Sequence, residues 1–240
     1  MPRAKRTYLP GLLWHLTQRC HNRRFLLGCQ QERKNWLYWM GLASHRHKLT
    51  ILNYMVTSNH IHLVVLDDGP SGAIARCMHL ASGQTAQQYN SRRRRHGSFW
   101  EDRYHATAVD SDVHFVRCMF YVDLNMVRAG VVSHPGEWAH CGFREIIGLR
   151  QRYRLINRQK LCSLLGLAPS DLARSYACWI EDYKKEPHLE RESRWTESLA
   201  VGRREFVVDF KDRLGLRAKY RVVTGAEESF ELREDRTPWG

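Results

Sequence analysis

The sequence predicts an α+β fold, an antiparallel β-sheet flanked by helices and followed by a helical C-terminal extension. Three observations carry this. Short β-branched runs and longer runs of helical spacing alternate in the order strand, helix, strand, strand, helix, strand, helix. Turn-forming residues separate them. Beyond about residue 150 the texture changes to helical segments without clear strands, so a first domain is expected over residues 1–148 and a helical region over 149–240.

Leu12 to Gln18 reads as a strand, and Gln30 to Lys48 as a helix carrying Trp36, Leu37 and Met40. Leu49 to Val56 and His60 to Leu66 are strand-like runs joined by Thr57, Ser58 and Asn59, a hairpin signature. Ser71 to Tyr89 is helical and ends in the basic run "NSRRRRHG"; Phe99 to Val109 is extended. A strong helix follows, capped by Asp110 or Ser111 and stopped by Gly130, with Val113, Val116, Phe120, Leu124 and Val127 as its apolar stripe. The basic "GLRQRYRLINRQK" and the charged "KKEPHLERESR" punctuate the later helical part, and Arg203 to Leu214 is amphipathic through Phe206, Val207, Phe210 and Leu214. That last segment is expected to pack on the first domain, or to add a DNA contact or a lid.

At 240 residues with 43% hydrophobic content the chain can bury a core, which excludes a disordered protein. A formal net charge of +13 favours a polyanionic partner, nucleic acid first and an anionic membrane surface second. No run has the length of a signal peptide core or a membrane span, so a cytoplasmic, nucleoid-associated protein without a membrane is expected. Seven scattered cysteines, none in a CxxC, suggest reduced and mostly buried thiols.

Two His-x-His pairs occur, where thirteen histidines in 240 residues give about 0.7 by chance. His45 and His47 fall near a helix end, where residues two apart diverge and cannot chelate one ion. His60 and His62 lie in a strand, so their side chains share a face. Either a divalent ion or ordinary hydrogen bonds would satisfy their ring nitrogens. On the strong helix Tyr121 and Asn125 are four apart, with Arg117 a turn before and Arg128 a turn after. If that helix packs on the strand, two imidazoles, an amide, a phenol and guanidinium groups meet. Such a set suits phosphodiester transfer with Mg²⁺ or Mn²⁺ and a tyrosine nucleophile. Tyr153 and Asn157 repeat the spacing in the basic joint, outside the predicted sheet, and are read as surface residues.

The segments "SNHIHLV" (58–64), "FWEDRY" (99–104) and "YVDLNMVRAGVV" (121–132), in this order, resemble the REP-associated tyrosine transposases of the single-tyrosine branch of the HUH endonucleases; "VGRREFV" (201–207) resembles a segment near that branch's C-terminus. The resemblance implies a ferredoxin- or RRM-like palm over residues 1–148. It also implies His60, His62 and Asn125 as ligands of Mg²⁺ or Mn²⁺, and Tyr121 as the nucleophile that forms a 5′-phosphotyrosine. The substrate would be single-stranded DNA beside hairpins from palindromic repeats, handled by a monomer or a homodimer. Ser58 and Met126 stand where the family usually has proline, and Met126 predicts a straighter helix through Asn125.

Arg19, Arg23, Arg24, the run Arg92, Arg93, Arg94, Arg95, and Arg103, Arg117 and Arg128 are the expected DNA contacts, with "TQRCHNRR" (17–24) at the single-stranded foot of the hairpin. Trp14, Trp100 and Tyr104 either stack on bases or belong to the core. Two other functions compete with strand transfer: a DNA-binding regulator that keeps the fold without chemistry, and a plasmid-type replication initiator.

Overall fold

The computed structural model describes residues 8–185, 190–227 and 229–234. Alternating side chains build β1 (Leu13–Arg19), and α1 (Gln30–His47) follows. The hairpin β2 (Thr50–Val56) and β3 (His60–Leu66) leads to α2 (Ala73–Arg92) and β4 (His105–Val109). Next come α3 (Val113–Asp123) and α4 (Asn125–Arg128), then α5 (Phe143–Ile146), α6 (Arg158–Leu165), α7 (Leu172–Lys185) and α8 (Arg194–Glu197). The chain closes with β5 (Ala200–Gly202), α9 (Arg204–Leu214), β6 (Arg221–Ala226) and β7 (Ser229–Glu234). One sheet holds these strands in the order β2-β3-β1-β4-β5-β7-β6, antiparallel except for the parallel β4–β5 pair.

The C-terminal region corrects the expectation of helices without strands. There β5 pairs onto β4, β7 onto β5 and β6 onto β7, so the sheet runs on into this region. Arg203 fixes the junction, donating to Asp110 through its backbone N–H (3.0 Å), Nε (2.8 Å) and Nη2 (3.2 Å). Gly202 passes so close that a Cβ there would sit 2.4 Å from Asp110 Cβ. The amphipathic α9 buries Val207 and Phe210, and Phe210 meets the ring of Trp14 edge-on at 5.8 Å. Trp14 is therefore core and not a base-stacking surface. The charged stretch 184–194 includes residues 186–189, which lie outside the described residues.

Two details of α3 depart from the sequence reading. Phe120 and Leu124 of the expected stripe are buried and Val113 is exposed, and burial extends beyond the stripe to Phe115, Cys118, Met119 and Val122, because elements cover the helix on more than one side. The helix also breaks at Leu124 (φ −83°, ψ 5°) despite the absence of proline. No side chain caps its start, where Asp112 has φ 59°. Among the described residues no helix is long and apolar enough to cross a membrane, and the cysteines are free thiols.

Candidate active site

Strand register places the site. In β1–β3, Arg19 lies opposite His60 and Thr17 opposite His62; in β1–β4, Thr17 lies opposite His105. Side chains at such positions share one face of the sheet, and His15 joins them by its two-residue step from Thr17. The turn before His60 is held by Thr57, whose Oγ1 donates to the His60 carbonyl (2.9 Å) and accepts from the His60 N–H (3.0 Å).

The hydrogen bonds fix the protons on three imidazoles. The Trp195 carbonyl, 2.8 Å from His15 Nδ1, can only accept, so Nδ1 carries the His15 proton and Nε2 is bare. That bare nitrogen, 2.9 Å away, takes the proton of His62 Nδ1, which leaves His62 Nε2 with its lone pair. His60 Nδ1 donates to Asn59 Oδ1 at 2.7 Å, so His60 Nε2 is bare as well. Burial keeps all three neutral: it lowers His15 to about 3 and His60 to about 4, and holds His62 well below its ordinary value. Each of the two candidate ligands thus has its outer nitrogen occupied and its inner one available, as a metal-bound histidine requires.

Asn125 completes the set. Its Nδ2 lies 3.1 Å from His62 Nε2, donating into the lone pair; with the amide turned over, Oδ1 would face an ion instead. Among the described residues no group of three or more His, Cys, Asp or Glu side chains could hold a metal, so a site here depends on the Asn125 amide. Two imidazole nitrogens and an amide oxygen fit a divalent ion that keeps open positions for substrate oxygens.

Tyr121 stands beside these rings, 5.8 Å from His62 and 6.0 Å from His15 between centroids. It is 3% exposed, yet it lines a cleft of about 700 Å³ with His60, His62 and Asn125. Burial raises its phenol, while Arg128 and Arg191 pull the other way. The Arg128 guanidinium lies over the Tyr121 ring at 4.2 Å and donates to the Tyr121 carbonyl at 2.5 Å, bridging the break at Leu124.

Of the other expected DNA contacts, Arg19, Arg23 and Arg103 line the cleft with Arg128. Arg24, Arg92, Arg93, Arg94, Arg95 and Arg117 are placed elsewhere: Arg92 pairs with Glu32, Arg95 donates to Asn90 and the Ser98 carbonyl, and Arg24, Arg93, Arg94 and Arg117 are exposed. In the joint, Arg150 donates to the Tyr54 hydroxyl and Arg158 to the carbonyls of Glu145 and Ile146, so both are structural. Tyr153 is 88% exposed and outside the cleft, and Asn157 caps α6.

The sequence reading missed His15, Trp195 and Arg191. His15 had a signal, since "HLTQR" alternates His, Thr and Arg on one strand face, but only pairing with β3 makes it meaningful. Trp195 and Arg191 had none, because the C-terminal region reaches the cleft only through the tertiary fold.

A family model described as IS200-like transposase matches residues 9–124, which hold strands β1 to β4, the candidate ligands His60 and His62, and Tyr121. Over this segment the chain is similar to the IS200-like transposases. Transposases cleave and rejoin DNA, and the transposase segment ends one residue before Asn125. None of the curated proteins matches the sequence. Among solved structures, a REP-associated tyrosine transposase bound to a REP hairpin is similar, with 19% identity over 65% of this chain and 92% of that one and a TM-score of 0.49. A candidate transposase from Deinococcus radiodurans R1 is similar at 15% identity over 54% of this chain and 98% of that one, with a TM-score of 0.36.

Proposed function

We propose that the protein is a metal-dependent single-stranded DNA endonuclease and strand transferase that acts at palindromic-repeat hairpins through a 5′-phosphotyrosine on Tyr121. The observation that carries this reading is the pair of bare imidazole nitrogens, His60 Nε2 and His62 Nε2, facing Asn125 beside a tyrosine in one open cleft. His60, His62 and Asn125 would hold Mg²⁺ or Mn²⁺. When bound, such an ion polarises the scissile phosphate.

The chain's own residues do the rest. Arg19, Arg23 and Arg103 hold backbone phosphates at the cleft mouth, and Arg128 keeps the Tyr121 ring in place. Tyr121 Oη forms a bond to the scissile phosphorus as its proton passes to water, the bond to the 3′ oxygen breaks, and that oxygen takes up a proton. Attack by a 3′-OH on the phosphotyrosine reverses these changes and rejoins DNA.

The test incubates a labelled hairpin oligonucleotide bearing single-stranded flanks with the protein and Mn²⁺, and looks for a covalent adduct. Wild type and Tyr153→Phe are expected to give it; Tyr121→Phe, or wild type in EDTA, is expected to give none. Adduct in Tyr121→Phe would overturn the nucleophile, and none in any protein would favour a DNA-binding regulator.

A further inference from the structure

A second cleft, of about 760 Å³, opens between α2 and the segment Trp100–Tyr104, and Gln18 and Arg103 line both it and the active-site cleft. Gln18 forms the wall between them: its Oε1 accepts from Ser82 Oγ (2.6 Å) and its Nε2 donates to the Asp102 carbonyl (3.1 Å). Two features of the second cleft point to an occupant.

The first is Gly83. It lies inside α2, where glycine is disfavoured, and neither packing nor backbone requires it: a Cβ added there would meet nothing within 4 Å, and its φ is not left-handed. Gly83 borders the second cleft, and Ala75 and Ala86 keep the same helix face low. Opposite stands the half-buried Trp100, whose indole N–H is committed to the Ser82 carbonyl at 3.0 Å, which fixes the ring beside this open space. The second feature is charge. Among the described residues the lining of this cleft includes Arg103 and Arg217 and no Asp or Glu, whereas the active-site cleft carries Glu101, Asp102 and Glu197.

A flat aromatic ring, an open space of ligand size and two arginines in a lining without carboxylates match an unpaired nucleobase with its phosphates. We propose that this cleft takes an unpaired base of the DNA strand next to the scissile phosphate, stacked against Trp100, with Arg103 and Arg217 on the flanking phosphates. The shared wall at Gln18 and Arg103 makes the two clefts neighbours along one strand. The proposal deepens the strand-transferase reading and rests on it.

The experiment measures Kd by fluorescence anisotropy in EDTA, using a labelled DNA hairpin with single-stranded flanks and versions in which one flank nucleotide at a time is abasic. The sugar and phosphate stay; only the base is lost. Wild type is expected to lose about tenfold in affinity at one flank position. Gly83→Leu, which fills the cleft, is expected to bind the intact flank at the abasic level, and Ala86→Leu, one turn along, to do the same if Gly83→Leu does not fold. A wild type indifferent to every abasic position, or a folded Gly83→Leu protein that still discriminates, would overturn the proposal. No adduct with Mn²⁺ alongside intact base discrimination would reject the transferase instead, and normal adduct without discrimination would reject the base cleft alone.

Discussion

His15 Nε2 lies 2.9 Å from His62 Nδ1, with the two rings stacked 5.1 Å apart and tilted by only 8°. The contact decides which nitrogen His62 turns to the cleft. Removing His15 would orphan the His62 N–H and leave the Trp195 carbonyl to the longer 3.3 Å bond from the Thr107 hydroxyl. His15→Ala is expected to weaken Mn²⁺ binding about 10- to 100-fold, read by the free-Mn²⁺ signal in electron paramagnetic resonance. His15→Gln, which can accept from His62, should recover part of it. ¹⁵N shifts of His62 should report mixed tautomers in His15→Ala, and unchanged Mn²⁺ affinity there would dismiss the positioning role.

Arg128 opposes the effect of burial on the Tyr121 phenol. Burial raises the phenol and a nearby cation lowers it, so Arg128→Ala should raise it further. The pH at which adduct formation is half-maximal is expected to move up, with a rate about 10²-fold lower at neutral pH. A profile at the wild-type position would show that Arg128 only holds backbone.

Asp123 is buried and accepts a 2.6 Å hydrogen bond from Tyr176, but burial outweighs the hydrogen bonds and raises its carboxyl to about 7. A raised carboxyl favours the protonated fold: the stabilisation is complete below the unfolded value of 3.8 and is lost as pH rises through about 7. Asp123→Asn removes the ionisation. Relative to wild type it is expected to gain about 1 kcal/mol between pH 6 and pH 8, measured by urea denaturation. A pH-independent difference would place the ionised carboxylate comfortably in the fold.

Two glycines should respond to alanine with opposite signs. At Gly202 the new methyl would strike Asp110 and Phe206, and about 2 kcal/mol of stability should be lost. At Gly83 it meets open space inside a helix, and about 0.5–1 kcal/mol should be gained. Thermal denaturation of the two variants gives both signs in one comparison.

Local patterns made much of this legible. The β2–β3 hairpin, α1 and α2 follow from periodicity and turn residues within single segments, and strand alternation alone puts His60 and His62 on one face. The C-terminal strands were hidden for physical reasons. β5 is three residues long and recognisable only by its partner β4, and β6 leaves most of its side chains exposed, so no apolar alternation marks it. The α3 stripe gives Phe120 and Leu124 as buried, but helical spacing defines one face and not how many neighbours press on the helix, so the burial of Phe115, Cys118 and Met119 and the exposure of Val113 do not follow from it. His15 stayed invisible because its meaning lies in a cross-strand neighbour and in a carbonyl from another region.

The bond from His15 to the Trp195 carbonyl spans 180 positions of the chain. On the ribosome, the nascent palm can pair its early strands long before that carbonyl exists, yet the imidazole that orients His62 lacks its anchor until nearly the whole polypeptide has been made. Translation cut short upstream of Trp195 therefore leaves His15, and through it His62, without that anchor.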